Sequence, residues 1–208
     1  MKTFLLVDDH MVVRNGVKTL LLQVFSPCEI FEAGDGITAV EELKKRKYDL
    51  VMMDIQMPGT DAFGLMEYIR ISHPGTRVLV FSMSAENIYA KRFLKAGAKG
   101  FVSKEAPLEE IKKALTTVLN DKRYISEAMI DILAEGAYDD NTKNPFQKLS
   151  ARELEIVSLM LSGHTLSEIA KSLHIQVSTA GTHKSRLFEK LGVSNLLELK
   201  ELADFYKL

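Results

Sequence analysis

Five short apolar runs alternate with amphipathic helical patterns over the first 121 residues. Strands that alternate with helices in this way form a parallel sheet with helices packed on its faces. The pattern therefore predicts a doubly wound α/β domain in this part of the chain. The five predicted strands are Thr3–Val7, Glu29–Glu32, Leu50–Met53, Arg77–Phe81 and Gly100–Ser103.

Strand signals stop after the helical pattern that runs from Leu108 to about Asn120. A short helix is predicted from Ser126 to Leu133, and the polar stretch Gly136–Pro145 is bounded by a glycine and a proline, as linkers often are. The sequence thus predicts a first domain over residues 1–121 and a linker with a short helix over residues 122–147.

Residues 148–208 are helical in character throughout. Ser150 and Glu153 have the spacing of a capping box, and Thr165 and Glu168 repeat it. A short helix, a tight connection and a longer helix that ends at Leu191 form the helix-turn-helix layout. We therefore predict that an all-α helix-turn-helix domain follows the α/β domain.

Charge and cysteine content exclude several classes of protein. The 27 basic and 28 acidic residues give a net charge of −1, so the chain does not coat nucleic acid or membranes by charge alone, and any contact with DNA must be local. One cysteine cannot form an intramolecular disulfide. No apolar run reaches the length of a membrane span, and the apolar start is too short for a signal peptide. We expect a cytoplasmic protein without membrane association.

Charged side chains follow three of the predicted strands directly. Asp8 and Asp9 follow the first strand, Asp54 follows the third, and Lys104 follows the fifth. The carboxyl ends of parallel strands meet at the crevice where the strand order reverses, so these groups should lie close together. The sequence predicts a site at this edge of the sheet.

An aspartate at such a site can act as a nucleophile toward phosphorus, but the incoming phosphoryl group is itself negative. A Mg²⁺ ion could neutralise this negative charge, because Mg²⁺ prefers oxygen ligands and bridges to phosphate. We predict Asp9 and Asp54 as direct ligands and Asp8 as a ligand through water. Lys104 and the hydroxyl of Ser82, at the end of the fourth strand, can bind phosphate oxygens. Each residue alone has an ordinary structural explanation, and their joint occurrence at strand ends favours the site.

These positions carry a family resemblance. The motifs are Val7-Asp8-Asp9-His10, Met53-Asp54-Ile55-Gln56-Met57-Pro58-Gly59, Phe81-Ser82 and Val102-Ser103-Lys104. They resemble the signature of bacterial response-regulator receiver domains over residues 1–121. The resemblance implies a flavodoxin-like fold, a partner sensor histidine kinase and Asp54 as the phosphoacceptor. It also implies the backbone carbonyl of Gln56 as a Mg²⁺ ligand, and Ser82 with Phe101 as a switch pair. Ala62 departs from the glycine that is usual there, and Phe101 replaces the commoner tyrosine.

Residues 148–208 resemble the LuxR-type helix-turn-helix. The motifs are Leu149-Ser150-Ala151-Arg152-Glu153, Gly163, Glu168-Ile169-Ala170-Lys171, Leu173, Thr179, His183, Lys190-Leu191-Gly192-Val193 and Asn195. Together the two halves resemble a response regulator of the NarL/FixJ type. Where this family commonly has Thr-Val-Lys, the chain has Gly181 in place of the lysine, and Gln176 replaces a capping serine.

The longer helix of this motif should read DNA in the major groove. Arg186 could pair with guanine and Thr182 could contact a thymine methyl group, whereas His183, Lys184 and Lys190 would lie near phosphates. For those last three, a solvated helix edge is the competing interpretation. The full set of predicted contacts is Thr179, Thr182, His183, Lys184, Ser185, Arg186 and Lys190.

We interpret the chain as a phosphorylation-dependent transcription regulator of a two-component system that binds double-stranded DNA as a homodimer. It is not expected to be an enzyme. Two alternatives stay open at this point. One is a Mg²⁺-dependent phosphohydrolase with Asp54 as nucleophile, which needs a second acid/base and a substrate pocket. The other is a regulator that works without phosphate, and whose receiver binds a protein or a small ligand.

Overall fold

The protein is described here by a computed structural model, which covers residues 1–84, 86–127, 130, 144–206 and 208, with the backbone alone at residue 87. The chain divides into two compact units, Met1–Ile130 and Asp131–Leu208. Residues 136–143 of the predicted linker and most of the predicted helix Ser126–Leu133 lie outside the described residues.

The first unit contains a five-stranded parallel sheet in the order β2-β1-β3-β4-β5. Its strands are β1 Lys2–Val7, β2 Cys28–Ala33, β3 Leu50–Met53, β4 Arg77–Ser82 and β5 Gly100–Ser103. Its helices are α1 Met11–Phe25, α2 Gly36–Lys45, α3 Ala62–Ser72, α4 Glu86–Ala96 and α5 Leu108–Leu119. The predicted doubly wound α/β fold is confirmed.

The strands are apolar over most of their length because helices cover both faces of a parallel sheet. All four residues of β3 are buried, as are the last four residues of β1. Helix α5 buries Ile111, Ala114, Leu115 and Val118, which share one helical face. Burial of these residues against the sheet builds one side of the core.

The strand order reverses between β1 and β3, because β1 pairs with β2 on one side and with β3 on the other. Val7 lies opposite Met53, and Ser82 lies opposite Ser103. The residues that follow these four strands therefore leave the sheet at the same edge, beside the crevice at which α/β proteins bind ligands.

The second unit is helical in its described part. Its elements are the short 3-10 helix Pro145–Lys148 and the helices α6 Ala151–Leu161, α7 Leu166–Ser172, α8 Val177–Leu191 and α9 Leu196–Phe205. Capping boxes start α6 at Ser150 and α7 at Thr165, as the sequence predicts. Gly192 ends α8 with a φ of 69°, which glycine adopts without strain.

Within the described residues, no helix combines the length and the apolar character that a membrane crossing requires.

Candidate functional site

Asp54 is buried at the carboxyl end of β3, with 3% of its surface exposed. Its Oδ1 accepts hydrogen bonds from the backbone N–H groups of Ile55 and Gln56, at 2.6 and 3.0 Å. The hydroxyl of Ser82 donates to the same oxygen at 2.6 Å, and Lys104 Nζ donates to Oδ2 at 2.6 Å. Both oxygens of the carboxylate are thus held in a fixed orientation.

Lys104 joins two carboxylates that come from different strands. Its Nζ lies 2.6 Å from Asp54 Oδ2 and 2.7 Å from Asp8 Oδ2, and its side chain is 8% exposed. Burial alone lowers the pKa of a lysine, but the hydrogen bonds and charges of Asp54 and Asp8 outweigh burial and raise the pKa of Lys104 above its ordinary value. The ammonium group is therefore charged at physiological pH.

Asp8, Asp9, His10 and Asp54 form one cluster, in which one potential ligand atom from each residue lies within 4.8 Å of the others. Potential ligand atoms this close together could be held by one divalent cation. The three carboxylates supply the oxygen donors that Mg²⁺ prefers. The residues of the cluster therefore fit such an ion.

The remaining predicted residues of this site lie around Asp54. Ser82 is fully buried at the end of β4, and Phe101 is buried in β5 opposite Val80. Gln56 lies in the loop after β3, where its N–H contacts Asp54. The structure thus brings Asp8, Asp9, Asp54, Ser82 and Lys104 together at one edge of the sheet. This arrangement can present a carboxylate oxygen to phosphorus beside a cation and a hydroxyl donor.

Sequence analysis gave no role to three neighbours of this cluster. Arg14 donates to the backbone carbonyl of Asp8 and to Glu32, His10 Nδ1 lies 2.9 Å from Asp9 Oδ1, and Ser84 N–H donates to Ser82 Oγ. His10 adjoins the two acids in sequence, which was a usable signal. Arg14 had none, because its position on the first turn of a helix is equally typical of a solvent-exposed arginine.

All seven predicted DNA contacts lie on helix α8. Ala180, Leu187 and Leu191 are buried on its inner side, whereas the opposite side is exposed. Five of the predicted contacts are exposed, and His183 and Lys184 are half-buried. The exposed members are Thr179, Thr182, Ser185, Arg186 and Lys190.

Lys190 has a partner within its own unit. Its Nζ donates to both carboxylate oxygens of Glu153, at 2.8 and 2.7 Å. The carboxylate of Glu153 is 4% exposed and also accepts the Ser150 N–H in the capping box of α6. Lys190 therefore connects α8 to the start of α6, and the sequence gave no signal that it pairs with a residue 37 positions earlier.

The two departures from the LuxR-type pattern have different local effects. Gln176 stands at the start of α8 and makes no side-chain capping hydrogen bond. A Cβ atom at Gly181 would meet one described atom within 4 Å, Leu166 Cδ2 at 3.9 Å, which is an ordinary contact. Space therefore does not require a glycine at this position.

Comparison with known proteins assigns both units. Residues 4–116 match the response regulator receiver domain, and residues 147–203 match the luxR family of bacterial regulatory proteins. Two similar relatives are the oxygen regulatory protein NreC of Staphylococcus aureus and the Fimbriae Z protein of Salmonella typhimurium. NreC is 34% identical over 95% of this chain and 94% of its own length. Fimbriae Z protein is 32% identical over 98% of this chain and 97% of its own length.

A solved structure has the same fold over nearly the whole chain. It is RcsB from Salmonella enterica serovar Typhimurium bound to promoter P1flhDC in the presence of the phosphomimetic BeF3−. RcsB is 26% identical to this chain, with a TM-score of 0.77, and the match covers 97% of each of the two chains.

An acidic cluster at the carboxyl edge of a doubly wound sheet, together with a helix-turn-helix unit, defines a receiver-controlled transcription regulator. The chain belongs to the NarL/FixJ-type response regulators, the two-component transcription regulators that join a receiver domain to a LuxR-type DNA-binding domain. Proteins of this family bind DNA and are not classical enzymes. The family and the function class predicted from the sequence are confirmed.

Proposed function

We propose that Asp54 is the phosphoacceptor and that a sensor histidine kinase is its donor. The main support for this proposal is the environment of the Asp54 carboxylate, which is buried at a strand end between Lys104, Ser82 and the other acids. In the transfer, an Asp54 oxygen forms the bond to phosphorus. The bond from phosphorus to the donor histidine nitrogen breaks, and that nitrogen keeps the electron pair.

The proposed Mg²⁺ ligands are the carboxylates of Asp8, Asp9 and Asp54 and the backbone carbonyl of Gln56. When bound, the ion neutralises charge on the phosphoryl oxygens. The mutual distances within the acidic cluster support this set. Asp8 and Asp54 also hold Lys104, so the ion and the ammonium group would share the same carboxylates.

Lys104 and Ser82 are the proposed phosphate-binding residues. Both already donate to the Asp54 carboxylate, at 2.6 Å each, so a phosphoryl group on that carboxylate would lie within their reach. Ser82 and Phe101 form the proposed switch pair on neighbouring strands β4 and β5. A conformer in which the hydroxyl of Ser82 faces Asp54 gains charge-assisted hydrogen bonds on phosphorylation, and this difference shifts the population of conformers.

The second unit is proposed to bind double-stranded DNA through the exposed side of α8. Thr182, Ser185 and Arg186 would contact bases, while His183 and Lys184 would lie nearer phosphates, and Thr179 lies on the same exposed side. The ion pair with Glu153 favours a structural role for Lys190, although its exposed ammonium group leaves a phosphate contact open. Two matched DNA half-sites require two copies of the recognition helix, so we infer a homodimer on DNA.

The proposed division of the chain is a receiver over residues 1–121, a linker over residues 122–147 and a DNA-binding domain over residues 148–208. The matches at residues 4–116 and 147–203 support the two domains. A protein with these parts acts where the bacterial chromosome lies, in the cytoplasm.

The test is mass spectrometry of the intact protein after incubation with Mg²⁺ and acetyl phosphate, beside Asp54→Asn. We expect one hydroxylamine-labile phosphate that is absent from the variant and absent without Mg²⁺. A phosphate that persists in Asp54→Asn would refute the assignment of Asp54. Absence of any adduct would point to a receiver that works without phosphate, and rapid turnover of the donor would point to a phosphohydrolase.

A further inference from the structure

The six residues after the turn that ends α5, Lys122–Glu127, cross the edge of the sheet, and we call this segment the strap. Tyr124 N–H donates to the carbonyl of Lys99 at 2.8 Å, and Tyr124 forms a parallel bridge with Gly100 in the edge strand β5. A Cβ atom at Gly100 would lie 3.0 Å from Tyr124 Cβ and 3.3 Å from its carbonyl oxygen. A Cβ atom at Gly100 would also lie 3.0 Å from Leu79 Cδ1, so a larger residue here would force both the strap and Leu79 to shift.

Two side chains of the strap bind glutamates on two different helices. The hydroxyl of Tyr124 donates to Glu110 Oε1 of α5 at 2.8 Å, and Ser126 Oγ donates to Glu86 Oε1 of α4 at 2.6 Å. Tyr124 and Ser126 are each only 5% exposed. These contacts hold the strap across the receiver at three points: β5, α5 and the first turn of α4.

The surroundings of these contacts strengthen them. Burial, together with the Glu110 hydrogen bond, raises the pKa of Tyr124, so its hydroxyl stays protonated and can donate. Burial also raises the pKa of Glu86, while the hydrogen bond from Ser126 opposes that rise. The donors Tyr124 and Ser126 are buried while Glu86 and Glu110 are half-buried, so water competes less for these hydrogen bonds than it would on an open surface.

A short segment, from Ser82 to Glu86, joins the Glu86 contact to the phosphoacceptor. Ser82 donates to Asp54, Ser84 N–H donates to Ser82 Oγ at 3.3 Å, and the two serine hydroxyl oxygens are also 3.3 Å apart. Two residues further on, Glu86 begins α4 and binds Ser126. The segment from Ser82 to Glu86 therefore contacts Asp54 at one end and the strap at the other.

We propose that the strap is the element through which phosphorylation of Asp54 is transmitted to the start of the interdomain segment, and that the Ser126–Glu86 contact is its movable joint. This inference rests on the proposed role of Asp54. In the structure, the inward hydroxyl of Ser82 and the bound strap occur together. The proposal takes these two states to be positively coupled, in which case thermodynamic linkage requires the strap to favour phosphoryl binding as much as the phosphoryl group favours the bound strap.

The test uses the full chain with Mg²⁺ and BeF3− in place of the phosphoryl group. Hydrogen–deuterium exchange reports on the strap, because the Tyr124 amide donates to Lys99. Fluorine NMR measures the BeF3− affinity. We expect BeF3− to slow exchange in residues 122–127 of the wild type. Ser126→Ala should speed that exchange and weaken BeF3− binding about fivefold, the lower end of measured couplings between sites.

Two further variants sharpen the result. Ser72→Ala removes an exposed serine at the end of α3 and should leave both readouts unchanged. Gly100→Ala, which forces a Cβ atom against Tyr124, should reproduce the effects of Ser126→Ala by a different route. If Gly100→Ala does not fold, Ser126→Ala alone decides, since it deletes one hydroxyl.

The outcomes separate the two proposals. If the wild type binds BeF3− but strap exchange does not change, or if Ser126→Ala binds BeF3− as the wild type does, the strap is not coupled to the site and the role of Asp54 stands. If the wild type binds no BeF3− in the presence of Mg²⁺, the proposed phosphoacceptor site fails and the coupling fails with it.

Discussion

Lys104 is the counter-charge for two buried carboxylates, so the first prediction concerns its removal. Lys104→Met should lower the free energy of unfolding by about 3 kcal/mol, because Asp8 and Asp54 would be left buried without a cation. Chemical denaturation of the full chain, followed through the transition of the receiver, measures the loss. Added Mg²⁺ should restore part of it, since the ion would neutralise the same carboxylates.

The matched control is Lys112→Met on α5, whose ammonium group pairs with the exposed Glu109. Surface pairs of this kind contribute less than about 1 kcal/mol. A loss in Lys104→Met no larger than in Lys112→Met would contradict the ion-pair account of the site.

Replacement of Gly181 is expected to stabilise the protein, in contrast to replacement of Lys104. Gly181→Ala should raise the free energy of unfolding of the second unit by up to about 1 kcal/mol, because alanine favours a helix and its Cβ would make only an ordinary contact with Leu166. Thermal unfolding measures the change. Gly192→Ala is the control, since its φ of 69° disfavours a Cβ, and it should lower stability by about 1 kcal/mol. Destabilisation by Gly181→Ala would show that the glycine is needed within α8.

At the scale of elements, the Lys190–Glu153 pair fixes α8 against the start of α6. Burial alone raises the pKa of Glu153, but the hydrogen bonds from Lys190 and Ser150 outweigh it and lower the pKa below its ordinary value. A lowered pKa means that the stability is present above the unfolded value of about 4.3 and is lost as the pH falls through the folded value.

Lys190→Met should therefore lower the free energy of unfolding by about 1 kcal/mol at neutral pH, a figure kept small because Lys190 is partly exposed. The difference from the wild type should shrink as the pH falls below the unfolded value of about 4.3 and vanish once the pH is below the lowered pKa of folded Glu153. Denaturation curves at several pH values provide the test, with Lys200→Met, an exposed lysine on α9, as control. Unchanged stability together with weaker DNA binding would instead identify Lys190 as a phosphate contact.

The strands were predictable because each apolar run is bounded by charged or turn-forming residues. The predicted bounds of β3 and β5 agree with the structure, and those of β1 and β4 differ by one residue at one end. The position of the strap was not predictable: Lys122–Ile125 has neither a helical nor a strand period, the helix predicted from Ser126 gives no partner for that residue, and the path depends on Gly100, Glu110 and Glu86.

The candidate site could be predicted in part for a topological reason. A parallel sheet delivers every strand end to one edge, so Asp8, Asp54 and Lys104 had to lie near one another once the strands were known. Contacts between helices follow no such rule. The pairing of Glu153 with Lys190 depends on the angle at which α6 and α8 pack, and periodicity does not determine that angle.

At the scale of the whole molecule, the near-neutral charge limits how DNA can be bound. A net charge of −1 provides little non-specific attraction, and we therefore propose that affinity comes from the exposed face of α8 and from two copies acting on a repeated site. Control by phosphorylation would then act on whether two copies present α8 together.

We propose that a phosphoryl group on Asp54 controls DNA binding by the second unit. The most direct measurement is capture of fragmented genomic DNA by the full chain, sequenced and then titrated on the enriched fragments, with Mg²⁺ and acetyl phosphate present or absent and with Asp54→Asn alongside. We predict that the phosphodonor tightens binding to paired half-sites about tenfold or more in the wild type and has no effect on Asp54→Asn. Equal affinity in the presence and absence of the phosphodonor, from a wild type shown by mass to be phosphorylated, would contradict the account.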